Sequence, residues 1–475
     1  MLGPSSYSFC TTYGVLINIE RLPCQQVNSR KVQGNGMEDA TAEPRRVLSV
    51  IDAVALIIGV VIGIGIFKTP SLVAANTGDN AIFFLAWLLG GAISLIGALC
   101  YAELATAYPH TGGDYHYLAR AFGRKVAFLF GWARMTVIQP GSIAMLAFVF
   151  GDYCAQLLPS IYAPALGAIL AVVTMTAMNL MGTQRGAWTQ NLLTAAKIIG
   201  LVSVLIAGVT MAPPLSPSGG GPPSADASFG LAMVFVLLTF GGWNEAAYLS
   251  AEFREGKRSM VRALLWGLGV ITAIYLLAGF SYLKGLGMDG MSRSEVVAAD
   301  LMRKVLGEGG ANFVSLLIAV SALGAINATI FTGARSNYAV GRDFPLFNFL
   351  GRWQGRANTP ANALLLQGAI ASALVLLGTV TRRGFVTMVE FTAPVFWLFF
   401  FMAGVSLVVL RNREPDAPRP FKIPLYPLIP VVFCLTCLYM LQASLAYTGI
   451  GALVGVGVLF IGAVLAILPR MRQKG

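Results

Sequence analysis

Two glycine interruptions in otherwise apolar sequence are the places best suited to chemistry. The first reads Gly59-Val-Val-Ile-Gly63-Ile-Gly65-Ile-Phe67 and the second Thr239-Phe240-Gly241-Gly242-Trp243-Asn244. Each glycine inside a helix costs about 1 kcal/mol relative to Ala, so clustered glycines in mid-segment invite the helix to unwind. Backbone N–H groups freed where the helix restarts carry a partial positive charge and suit a carboxylate. Carbonyls freed where the preceding half ends suit an ammonium. A zwitterionic amino acid uses both ends, whereas a sugar or a purely cationic amine does not. Close helix approach is the other use of small residues in membranes and would account for either interruption alone; their pairing favours a binding site.

A deeply placed charge is the second candidate. Lys197 lies about ten residues, or roughly 15 Å, into an apolar segment, where an ionised group is expensive unless paired or functional and snorkelling is strained. Arg134 is about as deep, in a segment long enough to tilt and let it reach the inner face. Glu103, Glu252 and Arg335 stand near inner segment ends, where they either form a gate or are simply solvated. His110 and His116, the only two histidines, fall in one inner loop and read as surface residues rather than proton carriers. The six cysteines, Cys10, Cys24, Cys100, Cys154, Cys434 and Cys437, carry no disulfide or zinc framework. We therefore expect no metal, no cofactor and no catalytic residue.

The elements that must position these residues are membrane spans. The chain has 475 residues, 56% hydrophobic and only 11% charged, with a mean hydropathy of +0.72, against about 25% charged in soluble domains. Apolar windows place twelve spans near 47 to 76, 81 to 107, 124 to 153, 161 to 181, 187 to 211, 229 to 253, 261 to 284, 311 to 338, 361 to 380, 384 to 410, 426 to 446 and 449 to 469. One membrane domain, 47–469, is expected between a largely disordered tail, 1–46, and a short tail, 470–475. With the N-terminus inside, 24 of the 33 Lys and Arg residues fall in inner segments and six in outer ones, which puts both termini in the cytoplasm. The net charge of +12 thus reflects topology, and no nucleic-acid partner is expected. The Pro-, Gly- and Ser-rich outer stretch 212–228 separates the first five spans from the rest. Thr111-Gly-Gly113 turns the chain into a short interfacial helix.

Glycine-interrupted spans five apart, in corresponding halves, point to an inverted-repeat secondary transporter with its site at the midplane. The sequence resembles the amino acid permeases of the amino acid–polyamine–organocation superfamily, closest to their L-type amino acid transporter branch, from about Leu48 to Leu468. The resemblance rests on Gly63-Ile-Gly-Ile-Phe67, Tyr101-Ala-Glu-Leu104, Tyr108-Pro-His-Thr-Gly-Gly-Asp-Tyr-His-Tyr117, Asn191-Leu-Leu-Thr-Ala-Ala-Lys197, Phe240-Gly-Gly-Trp-Asn244, Ser321-Ala-Leu-Gly-Ala-Ile-Asn327, Gly341-Arg-Asp343 and Arg419-Pro-Phe-Lys-Ile-Pro424, with Glu252 and Arg335. It implies an all-α membrane protein with a LeuT-type 5+5 inverted repeat, spans 1 and 6 broken, and two extra helices. By position, Ile64 and Gly65 would offer N–H groups to the substrate carboxylate, with Ile62 and Gly63 facing it. Carbonyls near Val61, Leu238 and Gly241 would receive the amine. Many relatives have a small residue or Ser at Ile64, so here only the backbone can serve. Phe240 and Trp243 would form a wall or gate, with core packing the alternative for Trp243. Neutral Asn244 favours neutral substrates, because relatives carrying cations often have an acidic residue there. Lys197 would stand where sodium-coupled relatives bind sodium and bridge spans 1 and 8, with Ser321 and the end of the first half of span 1 as its partners.

The implied function is alternating-access transport of neutral L-amino acids across the inner (cytoplasmic) membrane, by exchange or proton coupling, with the amino acid and membrane lipid as partners. A cationic amino acid or polyamine carrier is the alternative within transporters. A membrane-embedded transferase would need convergent Asp, His or Cys, and a sensor or channel would need an output domain or a pore ring; the sequence has neither. Animal members of the branch can be disulfide-linked to a glycoprotein heavy chain through a cysteine after span 3. Cys154 lies at the end of that span, and no heavy-chain partner is inferred.

Overall fold

The computed structural model describes residues 50–110, 112–158, 164–182, 186–212, 228–244, 257–355, 358–381, 383–446 and 449–467. Within them the chain is helical and has no strand, only an isolated bridge between Gln354 and Thr359. The helices are α1 (Val50–Val61), α2 (Thr69–Thr77), α3 (Asn80–Ala107), α4 (Asp114–Phe122), α5 (Arg124–Leu157), α6 (Pro164–Leu180), α7 (Gly186–Ile206), α8 (Phe229–Thr239), α9 (Lys257–Arg293), α10 (Val297–Asp343), α11 (Ala361–Val380), α12 (Gly384–Arg413), α13 (Leu428–Ala446) and α14 (Ile450–Leu465). Seven of them, α3, α5, α9, α10, α11, α12 and α13, are long and apolar enough to cross a membrane, and four apolar helices are shorter. The tail 1–46 and the outer stretch 213–227 lie outside the described residues, as does Glu252.

Local chemistry explains the boundaries. The Asp79 side chain caps α3 by accepting from the N–H groups of Ala81 and Ile82 at 2.8 and 3.0 Å, which satisfies two donors that would otherwise be orphaned. α4 is a short helix that begins directly after Gly113, where a turn into a short helix was expected. Within α5 the turn Arg134–Ile138 widens to a π-turn just before Pro140, whose missing N–H cannot continue the ordinary ladder. α10 bends at Gly307, where φ is +73°, and this separates a short helix beginning at Val297 from the long apolar run that follows. That short helix was not expected from the hydropathy pattern.

Alongside a buried core rich in aromatic side chains, several helices turn a stripe of large apolar residues outward. On α3, Ile82, Leu85, Leu88 and Leu89 are exposed, as are Ile198, Ile199, Val202 and Ile206 on α7 and Leu453, Phe460 and Ile461 on α14. Large apolar stripes facing outward fit lipid rather than water as the surrounding medium. The opposite face of α3 is lined by glycine. A Cβ on Gly90 would stand 2.3 Å from Val236 of α8, and one on Gly91 would stand 2.2 Å from Thr272 of α9. Such residues let backbones approach closely where no hydrophobic force drives helices together. α5 and α10 form the most extensive helix pair, α1 packs along α9, and α2 packs on α8 and α9.

One end of the bundle is tied by a buried ion pair. Glu103, fully buried near the end of α3, accepts two hydrogen bonds from Arg411 at the end of α12 and one from the Ile423 N–H at 2.7 Å. Arg419 stands 3.7 Å from the same carboxylate, and Arg411 lies over the Tyr426 ring. Next to it, Arg120 of α4 grips Glu414 with 2.8 to 3.1 Å bonds. Arg335, for which gating and solvation were the two readings, stacks on Phe331 of its own helix and donates to that residue's carbonyl, and is not part of this clasp.

Candidate functional site

The first glycine interruption unwinds. Ile62 makes the last ordinary helical bond of α1, to Ile58 O at 2.9 Å, and Gly63 is then extended at φ −95°, ψ −175°. The chain restarts as a four-residue 3-10 turn, Ile64–Phe67, which no side chain caps. Its leading N–H groups, those of Ile64 and Gly65 among them, therefore have no side-chain acceptor. Lys68, at φ −125° and ψ −48°, separates this turn from α2.

The second interruption also unwinds. α8 ends at Thr239, the Gly241 N–H turns back to Leu238 O at 3.0 Å, and Gly242 takes φ +104°, a left-handed conformation that favours glycine. Trp243 and Asn244 are again helical and are the last described residues of this segment.

The two breaks lie side by side. A Cβ on Gly65 would meet the Thr239 side chain at 3.4 Å, and the hydroxyls of Thr69 and Thr239 are 2.6 Å apart and buried. Between them sits the hydroxyl of Tyr275, from α9, 3.0 Å from both Val61 O and Thr239 O. Tyr275 went unrecognised in the sequence. Its one signal there, a tyrosine within an apolar span whose hydroxyl needs a partner, does not say which carbonyls it meets. Ile62 and Ile64 are buried, while Gly63 and Gly65 retain accessible surface and Gly241 is exposed.

The two aromatic residues of the second break are placed differently. Phe240 is buried next to the break, with its ring edge-on to Tyr275 at 5.0 Å and tilted to Trp87 at 6.2 Å. Trp243 points away into packing among α3, α12 and α13, with ring centroids 5.3 Å from Tyr101, 5.3 Å from Phe400 and 6.0 Å from Phe433. Asn244 is half-buried at the last described position of this segment. Of the three carbonyls expected to face an amine, Val61 O accepts from Tyr275 and Leu238 O from Gly241. Each keeps a second lone pair.

Lys197 reaches the first break. Its ammonium donates to Gly59 O at 3.2 Å, a carbonyl that loses its helical partner because Gly63, four residues on, is extended. Ser321, the other expected partner, is buried on α10; among the described residues it makes no hydrogen bond to Lys197. No group of three or more His, Cys, Asp or Glu able to hold a metal ion occurs among the described residues.

Comparison with known proteins matches residues 48–467 to the family described as amino acid permease. The b(0,+)-type amino acid transporter 1 of Mus musculus is 30% identical over 415 residues, covering 85% of this chain and 84% of that protein. The large neutral amino acids transporter small subunit 2 of Homo sapiens is 29% identical over 462 residues, 91% and 85% of the two chains. The serine/threonine exchanger SteT of Bacillus subtilis (strain 168) is 28% identical over 406 residues, 84% and 91%.

Proposed function

This chain belongs to the amino acid permease family, and on that premise we propose that it is a secondary transporter exchanging neutral L-amino acids across the cytoplasmic membrane. The observation that carries the reading is the meeting of the two breaks. An uncapped run of N–H groups at Ile64 and Gly65 lies beside carbonyls of α1 and α8, so one small zwitterion can be held by its carboxylate at one side and its ammonium at the other. Backbone groups contact what all amino acids share; the side chain then falls among apolar residues such as Ile62, Ile64 and Phe240. No ionised side chain stands at Asn244, which favours uncharged substrates. The relatives named above are themselves called transporters or exchangers.

In this reading residues 47–469 form one domain of twelve spans in a LeuT-type arrangement, with α1 and α2 as the halves of broken span 1. Both termini face the cytoplasm, as the distribution of Lys and Arg favours. The Tyr275 hydroxyl is the pivot between the broken spans, and Lys197 couples the end of α1 to α7. Cys154 is part-buried within α5 and offers no outer-loop thiol, so the chain is proposed to act without a heavy-chain partner.

Purified protein reconstituted alone in liposomes tests all of this together. Labelled neutral L-amino acid should enter vesicles preloaded with unlabelled amino acid and fail to enter empty ones. Equal entry into empty vesicles would replace exchange by net, proton-coupled uptake. No entry into either, with inhibition by arginine or putrescine of some other flux, would move the substrate to the cationic class.

A further inference from the structure

Lys68 occupies the junction between the 3-10 turn and α2, one residue past the turn that carries the free N–H groups. It is only 8% exposed. Its ammonium pairs with Asp152 of α5 at 2.7 Å and donates to Glu295 O, in the loop between α9 and α10, at 2.8 Å. One side chain therefore fastens three separate parts of this end of the bundle. The neighbouring residue is fastened as well, for Tyr153 of α5 donates to Phe67 O at 2.6 Å. Just beyond, the Thr69 and Thr239 hydroxyls close α2 onto α8. The distribution of basic residues assigns this end to the outside.

We propose that Lys68, Asp152 and the Glu295 carbonyl form a latch that holds the outer path to the site shut and must release for substrate to enter from outside. The inference rests on the transport reading above. Its physical basis is the choice of charge at a buried position. A buried ion pair adds little net stability over an apolar contact of the same size, because desolvation offsets most of the attraction. When α2 swings away from α5, water rehydrates both ions and repays much of the lost attraction. Open and shut forms can then lie close in free energy, as a reversible gate requires. An apolar contact here would be regained at every closure and would have no compensation on opening. The pair also sits next to the free N–H groups, so its release and the exposure of the site are one movement.

Thiol labelling separates this idea from transport itself. In the full-length chain with all six cysteines replaced, Thr239→Cys places a thiol that is buried while the outer side is shut. With Lys68 and Asp152 intact, a membrane-impermeant methanethiosulfonate added outside should react slowly. Lys68→Met and Asp152→Asn should each raise the labelling rate about tenfold, and the double variant should exceed neither, since both remove the same pair. Asp152→Asn is nearly isosteric and serves if Lys68→Met does not fold. Folded variants whose labelling rate equals that of the parent would overturn the latch. Faster labelling would uphold the latch by itself; the transport assignment is judged separately on the parent chain with Thr239 intact, and a parent that carries no amino acid would count against that assignment and not against the latch.

Discussion

Lys197→Ala is expected to reduce exchange by about 100-fold while leaving a folded protein that still binds substrate. The ammonium of Lys197 donates to Gly59 O, one of the last carbonyls of α1 and part of a helix end that carries partial negative charge. Gly63 cannot donate to that carbonyl because the chain is extended there. Alanine would leave the carbonyl facing an apolar void and would uncouple α1 from α7. The N–H groups of Ile64 and Gly65 lie beyond the break, and the Tyr275 hydroxyl still ties the end of α1 to α8 through Val61 O and Thr239 O, so the site would survive. Loss of about 3 kcal/mol from the step that reorients α1 corresponds to roughly a 100-fold fall in rate. The measurement is the turnover of exchange in liposomes set against the half-saturation concentration, which should move by only a few-fold. Lys197→Arg, which keeps the charge but not the compact ammonium geometry, should restore part of the rate. Full activity in Lys197→Ala would remove the residue from the coupling role.

Glu103→Ala should have the largest effect on stability. The carboxylate is fully buried and satisfied by Arg411 and by the Ile423 N–H, with Arg419 close by. Removing it leaves guanidinium charge in a desolvated pocket, and breaking a buried pair from one side costs about 3–5 kcal/mol. In detergent the variant should unfold at a distinctly lower temperature and lose its monodisperse profile. Glu103→Gln should fall between, because it keeps an acceptor for Ile423 but loses the charge. An unchanged unfolding temperature in Glu103→Ala would show that the clasp is solvated.

What could be read from the sequence was whatever is local. Hydropathy marked where most of the described helices run but fell well short of the ends of α9 and α10, and glycine marked both breaks, because extended Gly63 and left-handed Gly242 are backbone events written in residue type. The depth of Lys197 could likewise be counted along one helix. Residues that act through distant partners could not be read. Glu103 and Arg411 are 308 residues apart, and nothing in either neighbourhood names the other; Arg335 was an equally good choice by charge alone. Lys68, a charge inside the first span, shows no role in the sequence, since Asp152 and Glu295 reach it only through the fold. Tyr275 was hidden for the same reason. The short helix starting at Val297 mixes polar and apolar residues and carries no membrane signal.

Whether the paired breaks hold both charged ends of one amino acid can be read from competition in the exchange assay among L-leucine, its methyl ester and the amine that lacks its carboxyl group. The site described here should admit L-leucine alone as a strong competitor, because the ester leaves the N–H groups of Ile64 and Gly65 without an anion and the amine leaves them empty. Equal competition by the decarboxylated amine would contradict the account, for it would mean that those N–H groups do not read a carboxylate.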